Sequence, residues 1–248
     1  MPVRELYWMI ALGLVVGCGQ VESAQPGDAR IADTSIGDTS TGDANPACGH
    51  AGELFCDDFE SADLSRWSEA PTGALELETT MSHRGRGALV VTTDGSQLAY
   101  IGTRIAPQTT GSLHARAWFF VPSTVALNKI DIYNVNGSSD GVVFLVDMNE
   151  LRAYSSPGGG AVVVSGMQAP RDQWFCIEYH IDISRTSGAV KLDLNGTTIG
   201  TQSAGIDTLP SDGYVSLTIG MTSVIAPQSP VTFYIDDVAA GTQPLGCS

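Results

Sequence analysis

The chain has 248 residues, a formal net charge of −15, a hydrophobic fraction of 43% and a charged fraction of only 16%. Its two lysines, Lys129 and Lys191, leave no basic patch to displace counterions from phosphates, which argues against nucleic acid as a partner. The acidity also opposes a broad electrostatic hold on anionic lipid, and it is compatible with neutral sugars or bound cations.

Residues 1–17 carry one basic side chain, Arg4, and then an apolar run from Leu6 to Gly17. This reads as a secretory signal, shorter than the roughly 20 residues that span a bilayer. The run ends Val15-Val16-Gly17-Cys18. That text resembles the lipobox of bacterial lipoproteins, with Val15 where Leu is usual. The resemblance implies lipid on Cys18 and an anchor in the cell envelope. Gly19 in the following position implies the outer membrane. The alternative is an ordinary secretory signal with an incidental cysteine. From Cys18 to residue 47 the chain is polar, with Gly-Asp recurring at Gly27, Gly37 and Gly42. Such a stretch buries too little apolar surface to offset its ordering entropy, so a disordered acidic tether is expected.

Setting Cys18 aside leaves Cys48, Cys56, Cys176 and Cys247. An even number in an exported domain predicts two disulfides. Of the three connectivities, the favoured one is a local Cys48–Cys56 clasp with a long-range Cys176–Cys247 staple. No Cys-x-x-Cys pair supports zinc.

Residues 48–248 are rich in Val, Thr, Ser and Gly, a composition for strands rather than helices. Short runs bounded by turn residues place strands at 54–60, 74–79, 88–93 and 112–121, then at 130–135, 142–147, 151–154 and 161–164. Further strands are placed at 174–183, 189–194, 197–201, 213–220 and 231–238. Residues 112–121 alternate, with Leu113, Ala115, Ala117 and Phe119 on one face and His114, Arg116, Trp118 and Phe120 on the other. Asn195-Gly196 reads as a type I′ hairpin turn. A dozen or more short strands with Gly-rich turns predict an all-β, two-sheet sandwich.

Four segments carry a family resemblance. They are Leu54-Phe55-Cys56-Asp57-Asp58-Phe59-Glu60 with Leu64-Ser65-Arg66-Trp67, and Ser82-His83-Arg84-Gly85-Arg86-Gly87-Ala88-Leu89. Then come Gln173-Trp174-Phe175-Cys176-Ile177-Glu178-Tyr179-His180 with the run Gly188–Gly196, and Phe233-Tyr234-Ile235-Asp236-Asp237-Val238. In this order they resemble the concanavalin A-like jelly-roll superfamily, in its laminin G-like and glucanase-like branches. The resemblance implies an antiparallel jelly roll over 48–248. It does not choose an activity, because that superfamily holds lectins, lyases, hydrolases and adhesion domains.

In related sandwiches the first and last strands pair. That pairing would bring Asp58 and Glu60 near Asp236 and Asp237, a candidate structural Ca2+ site offering carboxylate oxygens. The paired-carboxylate motif of related glucanases, Glu-x-Asp-x-Glu, is missing. The nearest text, Glu178 and Asp182, is about 13 Å apart at strand rise. A lyase would need a His or Tyr base with a cation to neutralise a uronate, for which His180, Arg116 and Tyr133 are the candidates. Sugar binding needs an aromatic platform among planar polar groups, and His114, Arg116, Trp118, Tyr133, Glu178 and His180 form the candidate ligand face. The leading reading is a surface-tethered lipoprotein that binds an extracellular polysaccharide or surface ligand without catalysis. The alternatives are a divergent polysaccharide lyase or glycoside hydrolase, and a structural or adhesion protein of the envelope.

Overall fold

The structure, a computed structural model, describes residues 47–247 apart from the side chains of 203 and 204. The signal segment, Cys18 and the tether up to 46 lie outside the described residues. In chain order the strands are β1 (Glu53–Asp57), β2 (Ala74–Glu78), β3 (Ala88–Thr93), β4 (Ala99–Gln108), β5 (Gly111–Phe120), β6 (Ile130–Asn136) and β7 (Gly141–Asp147). They continue as β8 (Glu150–Ser155), β9 (Ala161–Gln168), β10 (Trp174–Ile183), β11 (Gly188–Leu194), β12 (Thr197–Ile206), β13 (Tyr214–Val224) and β14 (Val231–Gly241). A single 3-10 turn, Pro157–Gly159, joins β8 to β9.

The strands form the expected two-sheet antiparallel sandwich. One sheet runs β12-β11-β10-β5-β14-β3-β2, with β1 also paired to β14; the other runs β4-β13-β6-β7-β8-β9. Alternation decides which side chains enter the space between them. Leu113, Ala115, Ala117 and Phe119 of β5 are buried there, in register with Ile181, Tyr179, Ile177 and Phe175 of β10. The six-stranded sheet meets them with Tyr133, Val135, Phe144, Val146, Leu217 and Ile219. Phe119 packs 5.5 Å from Phe144 and 5.9 Å from Phe175, ring centre to ring centre. Each such buried side chain contributes about 1.5–3 kcal/mol.

Strand β4 has no counterpart among the sequence-predicted strands. Gly102, Arg104 and Pro107 interrupt its apolar text, yet Ile101, Thr103 and Ile105 point inward at period two. It is an edge strand whose one strand partner among the described residues is β13. The 69–72 segment bonds to Tyr100 and Gly102 on its other edge, and Pro107 lies beyond those contacts, where a proline costs no ladder bond. The Asn195-Gly196 turn is as read, since both residues have positive φ, 49° and 76°.

Strand β14 joins the chain ends. One of its edges pairs with β5, and the other is shared between β3 and β1. Beyond it, residues 242–247 fold back as a strap across the outer face of the eight-stranded sheet. Both expected disulfides form, Cys48–Cys56 near β1 and Cys176–Cys247 from β10 to the strap. The second bridges a separation of 71 residues and the first only 8. Replacing Cys176 and Cys247 together by Ser is expected to lower unfolding stability by about 2–5 kcal/mol. Replacing Cys48 and Cys56 should cost less. Denaturant titration of the two variants checks this, and equal losses would show that strap closure adds nothing.

Candidate functional site

The outward side chains of β5, β10 and β11 lie in rungs. His114, His180 and Lys191 make one rung, and Arg116, Glu178 and Asp193 the next. The strap closes over the second. Glu178 accepts hydrogen bonds from Leu245 N (3.0 Å) and Gly246 N (2.9 Å), and His114 Nδ1 lies 3.1 Å from its Oε1. Burial pushes the Glu178 carboxyl up, but His114 and the two strap amides outweigh it and hold it below its ordinary range. That charge fixes the proton of His114 on Nδ1. Arg116 is 2% exposed and donates to the carbonyls of Ala47, Asp237, Leu245 and Gly246.

His180 stacks on His114 with ring centres 4.4 Å apart. Its Nε2 lies 3.0 Å from Asp182 Oδ1 but off the line of a hydrogen bond. Burial, then the neighbouring His114, pushes its pKa down. Trp118 is covered as well, because His83 stacks on it at 3.5 Å. The aromatic face that a sugar ring would occupy is therefore already taken by a side chain of the protein. A cavity of about 450 Å³ remains beside the strap, lined by His114, Glu178, His180 and Lys191.

A bulge in β14 between Asp236 and Ala239, with Asp237 at φ 49°, breaks the alternation and turns both aspartates toward the 82–87 turn. Asp236 Oδ2 accepts from His83 N (2.7 Å) and Arg84 N (3.3 Å), and Asp237 Oδ2 lies 2.7 Å from His83 Nδ1. Burial, with the adjacent Asp237, pushes Asp236 up to about 8. The other members of the expected calcium quartet are elsewhere. Glu60 is exposed and caps the same turn from outside, accepting from Arg86 N (2.6 Å) and Gly87 N (2.9 Å). Among the described residues Asp58 accepts one long bond, from Glu60 N at 3.5 Å. Among the described residues no group of three or more His, Cys, Asp or Glu side chains is arranged to hold a metal. Glu60 and Asp236 spend oxygens on backbone amides of the 82–87 turn and Asp237 meets the His83 imidazole, so among the described residues the four carboxylates of Asp58, Glu60, Asp236 and Asp237 do not converge on one point.

The outer face of the six-stranded sheet is different. Asp131 of β6, Leu145 of β7, Arg152 of β8 and Val164 of β9 share a rung, and Val143, Tyr154 and Val162 share the next. Between them lies a groove of about 410 Å³, lined by Lys129, Asp131, Leu145, Asp147, Arg152, Tyr154, Val162 and Ile225. Tyr154 is 36% exposed, and Val162 and Ile225 are exposed beside it. Gly160 makes room for the ring, since a Cβ there would collide with the Tyr154 hydroxyl. Arg152 is held by Asp147 (2.6 Å) and Glu150 (2.7 Å). Burial pushes the Asp131 carboxyl up, with Lys129 opposing it, and no hydrogen bond among the described residues offsets that cost.

Of the sequence-selected ligand face, the fold brings His114, Arg116, Trp118, Glu178 and His180 onto one sheet surface, as alternation required. It commits Arg116, Trp118 and Glu178 to internal contacts. Tyr133 is not with them. It is fully buried between the sheets and donates its hydroxyl proton to Ala239 O at 3.0 Å. Burial pushes its pKa far up, so Tyr133 is neither a reachable base nor a contact residue. The groove residues escaped sequence reading because they come from five segments. The local signal was Tyr154 between Arg152 and the Pro157–Gly160 turn.

No family model and no curated protein matches the chain. Solved structures do match. The cellulose-induced protein Cip1 is similar at a TM-score of 0.60 and 19% identity, over 78% of this chain and 100% of that one. An endo-β-1,4-glucuronan lyase from the fungus Trichoderma reesei is similar at 0.59 and 14%, over 77% and 96%. The binding domain of botulinum neurotoxin serotype C1 is similar at 0.59 and 11%, over 77% of this chain and 49% of that one. At these identities the likeness establishes the fold alone, a two-sheet antiparallel jelly-roll sandwich.

The aspartate seam makes stability depend on pH. A carboxyl raised to about 8 in the folded state binds its proton more tightly there than in the unfolded chain. Its contribution is present below pH 4 and, relative to that, lost as pH rises from about 4 through 8. Wild-type protein should therefore gain stability over Asp236→Asn as the pH is lowered from 9 to 5. Parallel denaturation midpoints for the two proteins across that range would contradict the assignment.

Proposed function

We propose that the chain binds an extracellular polysaccharide in the groove on the outer face of the six-stranded sheet, without acting on it. One observation carries this reading. Exposed Tyr154 lies beside Leu145, Val162 and Ile225, and Asp131, Asp147, Arg152 and Lys129 surround them. Sugars present apolar C–H faces ringed by hydroxyls, and an aromatic platform with planar polar groups at its rim complements both. The fold shared with a glucuronan lyase and with a cellulose-induced protein is consistent with a carbohydrate ligand. A lyase needs a free base beside an uncommitted cation. Arg152 is instead bound by two carboxylates, and His114 and His180 lie on the opposite sheet.

A second reading has one observation in its favour. Asp131 and Asp147 are diagonal neighbours on β6 and β7, with Cα atoms about 7–8 Å apart. Inverting glycoside hydrolases use two carboxyl groups roughly 6.5–9.5 Å apart across a sugar, and both of these side chains line the groove. Tyr154→Ala should weaken retention on an immobilised glycan about tenfold, given the usual loss per stacking contact. Retention unchanged by Tyr154→Ala would remove the groove from the reading. Release of reducing ends from a bound glycan would replace it with hydrolysis.

The same reading places the protein at the cell envelope, held to the outer membrane by lipid on Cys18. Cys18→Ser should abolish incorporation of labelled fatty acid and release the protein from the membrane fraction. Equal labelling of both forms would overturn the anchor.

A further inference from the structure

We propose that Asp131 makes the groove selective for uncharged glycans and excludes polyuronates. This rests on the glycan-binding reading above and names the substrate class. Three carboxylates stand in or beside the groove, Asp131, Asp147 and Glu150, against two cations, Lys129 and Arg152. Two of the carboxylates are spent on Arg152: Asp147 Oδ2 meets Nη1 at 2.6 Å, and Glu150 Oε2 meets Nη2 at 2.7 Å and Nε at 3.2 Å. Glu150 Oε1 accepts from Gly166 N at 2.8 Å.

The guanidinium that would otherwise neutralise a uronate is thus already neutralised. Asp131 is the carboxylate not bound to Arg152; Lys129 opposes the cost of its burial by charge alone, and the three carboxylates still outnumber the two cations. Asp131 is partly buried, it lines the groove, and no hydrogen bond from the described residues reaches its oxygens. An ionised carboxylate only accepts hydrogen bonds. A sugar hydroxyl supplies the donor that Asp131 lacks and relieves the cost of its burial. A uronate supplies acceptors and a second negative charge to a groove with one negative charge in excess, and like charges brought together across an interface are costly. The formal charge of −15 over the chain adds to that repulsion at longer range.

The test uses the full chain and two kinds of probe of equal length. One is a panel of neutral oligosaccharides (cello-, xylo- and manno-series), and the other is an oligoglucuronate. Calorimetric titration should give at least one neutral glycan an affinity about tenfold or more above the oligoglucuronate. Asp131→Asn should shrink that ratio severalfold, and so should raised salt on the wild-type protein, because screening weakens the repulsion. The salt series decides the matter even if Asp131→Asn folds poorly. Oligoglucuronate binding as tight as any neutral glycan, lost in Tyr154→Ala, would overturn the selectivity and leave the groove in place. A preference that neither Asp131→Asn nor salt moves would overturn the role of Asp131. Silence of every probe toward wild-type protein would overturn the glycan reading and this inference with it.

Discussion

A buried guanidinium holds the two ends of the domain together. Arg116 sits on β5 opposite Glu178 of β10, and its donors reach the carbonyls of Ala47 before β1, Asp237 in the β14 bulge, and Leu245 and Gly246 in the strap. A buried cation persists only where such partners replace its lost hydration. Satisfying Arg116 therefore requires the N-terminal entry, the bulge and the strap to be in place at once. Glu178 makes the same demand from the opposite charge, through the amides of Leu245 and Gly246. The Cys176–Cys247 bridge then fixes the strap covalently one rung away.

This arrangement divides the roles of the two sheets. The eight-stranded sheet spends Arg116, Glu178 and Asp236 on the strap and on the 82–87 turn, so this part of its outer face works as a second, polar layer of the interior. Among the described residues no such strap lies over the six-stranded sheet. Its outward residues keep Tyr154, Val162 and Ile225 in contact with solvent, above a floor in which Leu145 is covered by its charged neighbours. An outward leucine that is nearly buried explains why β7 reads as a continuous apolar run instead of an alternating one.

Much of the fold was legible because it rests on local text. Period-two alternation assigned the faces of β5 correctly, Asn195-Gly196 announced its hairpin, and the cysteine spacing pointed to a short clasp and a long staple. Strand β4 was missed because glycine, arginine and proline are tolerated on an edge strand while a sequence reading counts them as breakers. Strand alternation by itself would point Asp236 and Asp237 to opposite faces, and the bulge turns both the same way. The groove was illegible because Lys129, Asp131, Leu145, Arg152 and Ile225 become neighbours only through strand register.

The sequence by itself determined the all-β character, an even set of cysteines for two disulfides, and the side of β5 and β10 on which His114, Arg116, Trp118, Glu178 and His180 stand. Only the tertiary structure decided whether that side meets solvent. Alternation is a property of one strand, whereas exposure depends on what the rest of the chain lays over it. Here His83, the strap and the entry at Ala47 lie over one sheet, and the face that the described residues leave open belongs to the other.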